Sequence, residues 1–146
     1  MEHSFISKVE VRWSDLDPNF HVRHSVYYDF AAYSRIAFLN QHNITAVYMM
    51  QNNFGPILFR EECVFRKEIM LADELSIHTR LLKARQDFSR WSIVHEFFKS
   101  KDVLAARVTV DGAWIDTIKR KLTILPADLQ EGFGKMHRDE AFEWIN

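Results

Sequence analysis

Near the N-terminus apolar and polar residues alternate: Val9, Val11 and Trp13 against Glu10 and Arg12. That is the two-residue period of a half-buried strand. The alternation ends in Ser14-Asp-Leu-Asp-Pro-Asn19, which is turn chemistry. Over residues 25–39 the apolar positions Val26, Tyr27, Phe30, Ala31, Ile36, Ala37 and Phe38 return at helical spacing. So few polar residues interrupt them that most faces of this helix are expected to be buried.

Asn40 and His42-Asn43 weaken the helix, and a further turn or two is expected through Val47-Tyr-Met-Met50. Asn52-Asn-Phe-Gly-Pro56 is a break. Four strand-like segments follow, at 57–69, 74–83, 88–98 and 103–115, with a short run at 122–125 extending the last hairpin. Leu75, Ile77 and Leu81 share one face of the second, and Ala106, Val108, Val110 and Trp114 one face of the fourth. Short links (71–73, 86–87, 100–102) imply antiparallel neighbours. Strict alternation would turn Glu61 inward with Ile57, Phe59, Cys63 and Phe65, so a β-bulge is expected in that strand. Pro126, followed by Asp128, opens a last helix.

Strand, long helix, four or so strands and a small helix make an α+β order. One antiparallel sheet wrapped around one long central helix satisfies it, with residues 1–146 as a single domain. The composition supports a packed core: 47% hydrophobic and 14% aromatic, with four Gly and three Pro in 146 residues. A net charge of −1 gives no global field for nucleic acid or an anionic membrane. A lone cysteine, Cys63, excludes an internal disulfide and fits a reducing compartment. The first residues lack the pattern of a signal peptide, no apolar run reaches a membrane span, and a cytoplasmic location is expected. A sheet around one helix leaves a face or an edge open, which a second copy is expected to cover in a homodimer or homotetramer.

The candidate chemistry is concentrated in residues 12–30. Asp15, Asp17, His21 and His24 occupy the loop between the first strand and the helix N-terminus, where N–H groups lack partners and carry partial positive charge. Acid, base and oxyanion donors in so short a stretch suggest hydrolysis.

The segment Trp13-Ser-Asp-Leu-Asp-Pro-Asn-Phe-His-Val-Arg-His-Ser-Val-Tyr27 resembles the 4-hydroxybenzoyl-CoA thioesterase family of the hotdog fold. The likeness is strong over residues 11–35, with weaker echoes at Ala72-Asp-Glu-Leu75 and Leu125-Pro126. It implies a hotdog thioesterase domain that hydrolyses an acyl-CoA to free acid and coenzyme A without a cofactor or a metal. Asp17 would be the catalytic carboxylate and His24 its assistant. The backbone at the helix start, including Ser25 and Val26, would bind the oxyanion, and Tyr27 would border the acyl pocket. Asp17 would either align water as a base or attack the carbonyl itself. This chain departs from the family pattern at Phe20, where many members carry Gly, and at Ala32, where many carry Glu. No helix carboxylate role is therefore transferred.

Asp15 reads as structural, His21 as a loop-packing residue, Asp29 as a solvated or partner-facing carboxylate and Cys63 as buried filler. Arg85, Arg90, Lys119, Arg120 and Lys121 are basic enough to meet coenzyme A phosphates, but such clusters are usually solvated. Two alternatives stand beside hydrolysis. One is a module that holds an acyl-CoA or an acyl carrier protein without turnover. The weaker one is a metal-dependent hydrolase using Asp15, Asp17, His21 and His24.

Overall fold

A computed structural model describes residues 4–146. In chain order the elements are β1 (Phe5–Val9), α1 (Val26–Gln41), α2 (Ala46–Gln51), β2 (Phe54–Phe65), β3 (Leu75–Ala84), β4 (Arg90–Lys99), β5 (Val103–Asp116), β6 (Lys121–Leu122), α3 (Ala127–Phe133) and β7 (Arg138–Trp144). The strands form one sheet with the path β1-β3-β4-β5-β2, and β6 and β7 add to β5 and β3. Every pairing is antiparallel except the parallel addition of β7 to β3.

The buried core joins α1 to one face of this sheet. Val26, Tyr27, Phe30, Ala31, Phe38 and Leu39 pack with Leu75, Ile77, Leu81, Ile93, Phe97, Ala106, Val108, Val110 and Trp114. The alternation in β3 and β5 therefore marks the face toward α1. One antiparallel sheet around one central helix is the expected hotdog arrangement. The helix is less buried than its composition implies: Asp29, Ala32 and Tyr33 are exposed.

Four details depart from or sharpen the expectations. The first strand lies earlier than its alternation suggests. It ends at Val9, and Trp13–Asp15 form a 3-10 turn with Trp13 exposed. The Arg12 N–H and guanidinium both bond the Asp15 carboxylate and draw the chain into that turn. In β2 the register shifts between Leu58 and Arg60, so Phe59 is the extra residue of the expected bulge and Glu61 is exposed. Pro56 and Gly55, read as a break, are paired within β2, which sits at the end of the sheet path where proline is tolerated. At Gly112 a Cβ would lie 2.4 Å from the Trp91 ring and 2.7 Å from the Ile57 carbonyl oxygen, so glycine is required for the close approach of Trp91.

β7 was not foreseen at all. It pairs in the sheet with β3 beyond the stretch held by β1, next to Arg80, which is buried despite its polar parity. Arg80 donates to Asp139 at 2.8 Å and to Ser4 at 3.0 Å, and it also bonds Glu96. Each buried charge on this face therefore has an opposite partner.

The inner face also holds polar groups. Ser34 on α1 bonds Thr79 and lies 3.3 Å from Ser7 Oγ. Nδ1 of the fully buried His95 lies 2.9 Å from the Val108 carbonyl oxygen, and its Nε2 is 3.3 Å from Arg35 Nη1. Burial, helped by the Arg35 charge, lowers the His95 pKa from 6.5 to about 3, so the ring is neutral. With Nδ1 donating to the carbonyl, Nε2 accepts from Arg35.

No helix among the described residues is long and apolar enough to cross a membrane.

Candidate active site

The chain leaves the 3-10 turn at Leu16 and folds a tight loop before α1. The Phe20 N–H donates to the Asp17 carbonyl at 2.9 Å, and the Asp17 N–H donates to the His21 carbonyl at 2.8 Å. Oδ1 of Asp17 accepts the N–H groups of Asn19 at 2.9 Å and His21 at 3.1 Å. This is the local turn chemistry of an aspartate before proline. It occupies one carboxylate oxygen. Oδ2 accepts no hydrogen bond from the described residues.

The loop turns on Phe20, which has φ 65, the left-handed region that glycine adopts without strain. Its half-exposed ring lies 6.4 Å from Trp13, and this aromatic contact accompanies the strained backbone.

Asp17, His24 and Tyr27 line one cleft of about 320 Å³, together with His21, Phe65 and Glu68, and with Arg66 and Lys67 at the end of β2. The sequence reading had named the first three. It gave His21 a packing role, whereas the ring lines the cleft with its Nε2 3.0 Å from Glu68 Oε2. Phe65, Arg66, Lys67 and Glu68 were missed because nothing in their own pattern ties them to a loop some fifty residues earlier. The bridges that bring them there are long-range: the Val22 N–H donates to the Ile69 carbonyl at 2.8 Å, and His21 pairs with Met70.

Tyr27 is 3% exposed, edge-on to Phe65 at 4.9 Å. Burial first, then the charges of Cys63, Asp17 and Glu68, push its phenol up to about 12. It therefore stays protonated at neutral pH and can donate a hydrogen bond.

Ser25 holds the N-cap position of α1 with no side-chain cap bond, so its hydroxyl does not compete for the first amides. Val26 opens the helix. Its N–H is already donated to the Arg23 carbonyl at 3.0 Å, because the chain makes a tight turn immediately before the helix. The side chains of Ser25 and Val26 do not line the cleft. The N–H groups of His24 and Ser25 have no partner among the described residues.

Asp15 is fully buried and bound to Arg12 at 2.8 Å, and that hydrogen bond holds its pKa below the usual carboxylate range. It is structural and unavailable to the cleft. No three His, Cys, Asp or Glu side chains among the described residues converge as a metal-binding group. Cys63 is half-buried, and burial raises its thiol to about 11. None of Arg85, Arg90, Lys119, Arg120 and Lys121 lines the cleft. A larger groove, about 650 Å³, lies between β1 and residues 71–76, and it contains none of the loop carboxylates or histidines.

The family model described as the thioesterase-like superfamily matches residues 11–133. No curated protein sequence matches at a significant level. Among solved structures, a hypothetical protein from Aquifex aeolicus superposes with a TM-score of 0.80 at 20% identity, over 88% of this chain and 98% of its own. A Staphylococcus aureus hypothetical protein in complex with CoA gives 0.82 at 16% identity, over 90% and 82%. A 1,4-dihydroxy-2-naphthoyl-CoA thioesterase from Synechocystis gives 0.80 at 17% identity, over 90% and 96%. At these identities the likeness establishes a shared fold.

Proposed function

We propose that this chain, which belongs to the thioesterase-like superfamily, hydrolyses an acyl-CoA thioester to the free acid and coenzyme A. The observation that carries the reading is the convergence of Asp17, His24 and Tyr27 on one cleft at the uncapped start of α1. Three groups of chemistry then meet in one place: a carboxylate, a protonated phenol and amides at the positive end of a sixteen-residue helix.

In this reading Asp17 acts through Oδ2. It either removes a proton from the water that attacks the thioester carbonyl or attacks that carbon itself to give an anhydride that water opens. The carbonyl π electrons move onto oxygen, where the N–H groups of His24 and Ser25 receive the charge; one such donor is worth roughly 3–4 kcal/mol of barrier. Collapse expels the coenzyme A thiolate, a good leaving group that needs no strong acid. Tyr27 and His24 orient the acyl group and the water. Arg66 and Lys67, on the rim, offer positive charge to the coenzyme A phosphates. The chain works as one domain.

A second copy of the chain is part of this proposal. β2 ends the sheet path and among the described residues pairs only with β5, while Phe59, Val64 and Phe65 along it are about half exposed. An edge so long and apolar calls for a cover. Phe65 also lines the cleft, so a copy seated on β2 would border the active site.

The binding-module reading keeps one specific support: Asp17 already accepts two amide hydrogens, as a purely structural turn residue would. A hydrolysis screen over short, long and aromatic acyl-CoAs, with free thiol as the readout, decides between them. Turnover of at least one class is expected. Tight binding with no turnover on any of them would establish the module.

A further inference from the structure

A third cavity lies between α1, the sheet and the segment that follows β6. It has a volume of about 170 Å³ and shares no lining residue with the Asp17 cleft. Arg35, which lines it, is eight residues beyond Tyr27 on α1, about 12 Å along the helix axis.

The walls are aromatic. Trp91, Trp114 and Phe133 stand 5.5–6.0 Å from one another, in tilted and edge-to-face arrangements, with Met136 and Ile93 beside them. Among these apolar walls are donors without acceptors. Trp91 and Trp114 are 3% and 0% exposed, and neither indole N–H has a hydrogen-bond partner among the described residues. A buried indole N–H ordinarily finds one. Arg35 is also on this wall. Its guanidinium bonds the neutral His95 ring, and no carboxylate of the described residues lies within ion-pair distance of it. A half-buried cation and two buried, unpaired donors form a set that an acceptor, best an anionic one, completes.

We infer that this cavity is a binding site, separate from the catalytic cleft, for a one-ring carboxylic acid whose ring packs among the tryptophans and whose carboxylate meets Arg35 and an indole N–H. The size fits that class. About 170 Å³ is the liquid volume of five or six waters at ~30 Å³ each, and it is smaller than the roughly 300–1,000 Å³ of sites for drug-sized ligands. A benzoate-sized molecule is accommodated; a long acyl chain or a coenzyme A thioester is not.

Benzoate titration of protein carrying 13C-methyl methionine tests this, with the Met136 methyl signal as the reporter. The signal is expected to shift saturably, and equally in the wild type and in Asp17→Asn, which separates this site from the proposed hydrolysis. Benzoate is expected to bind at least tenfold more tightly than neutral benzyl alcohol and than hexanoate. Arg35→Leu is expected to weaken benzoate at least tenfold. The comparison among the three ligands uses only the wild type and stands even if that variant does not fold. An unmoved Met136 signal at saturating benzoate would overturn the proposal. So would equal affinity for benzyl alcohol, which removes the anion, or for hexanoate, which removes the ring.

Discussion

Asp17 Oδ1 accepts the main-chain N–H of His21 at 3.1 Å, which fixes the carboxylate to its loop through one oxygen and leaves Oδ2 without a partner among the described residues. The same side chain can therefore shape the turn and serve the cleft. A substitution at Asp17 must separate these tasks. Asparagine keeps an acceptor for both amides and removes the charge, whereas alanine removes both.

The turn also sets a prediction at Phe20. With φ 65, any side chain bearing a Cβ is strained there, at a cost of roughly 1–2 kcal/mol. Phe20→Gly and Phe20→Ala lose the same contact with Trp13, but only glycine relieves the backbone. Chemical denaturation should find the glycine variant more stable than the alanine variant by about 1 kcal/mol. Equal stabilities would mean that the loop does not hold this conformation in solution.

His95 makes stability depend on pH. Its folded pKa, about 3, lies below the ordinary 6.5. Above 6.5 the ring is neutral in both states and contributes nothing. As the pH falls below 6.5 the unfolded chain takes up a proton that the folded ring refuses, so stability is lost down to about pH 3. At pH 5 the loss from this one group is about 2 kcal/mol. Urea midpoints at pH 7 and pH 5 should differ accordingly in the wild type and differ less in His95→Gln.

The C-terminal strand offers a third test. Asp139, 6% exposed, accepts from Arg80 at 2.8 Å and from the Ala141 N–H at 3.0 Å. Asp139→Ala would remove one carboxylate from a buried guanidinium and release β7 from β3. A loss of roughly 3 kcal/mol is expected, with faster amide exchange over 138–144 than in the rest of the sheet. Uniform exchange in all strands would show that β7 is not held by this pair.

Much of the fold was legible because the sheet has one dry face. Val108, Val110 and Trp114 in β5, and Ile77 and Leu81 in β3, keep a period of two that only a face toward the core requires. The bulge at Phe59 was legible for the same reason, since Glu61 stood at an inward position. β7 was not, because its pattern (Arg138-Asp-Glu-Ala-Phe-Glu-Trp144) has little alternation and its partner, Arg80, is polar. Local periodicity does not report a strand held by a buried ion network. The site divides in the same way. Asp17, His24 and Tyr27 lie in one continuous motif, whereas Glu68 and Phe65 reach the cleft through the pairing of residues 21–22 with 69–70. The turn bond from the Val26 N–H to the Arg23 carbonyl was equally invisible in composition.

Asp17→Asn, assayed by thiol release from whichever acyl-CoA the wild type turns over best, bears most directly on the proposed chemistry. The variant should retain the wild-type denaturation midpoint within about 1 kcal/mol, since both amides keep an acceptor, and its kcat should fall by roughly 10²–10⁴-fold. A folded variant with kcat within a factor of ten of the wild type would contradict the assignment of Asp17 as the reacting carboxylate.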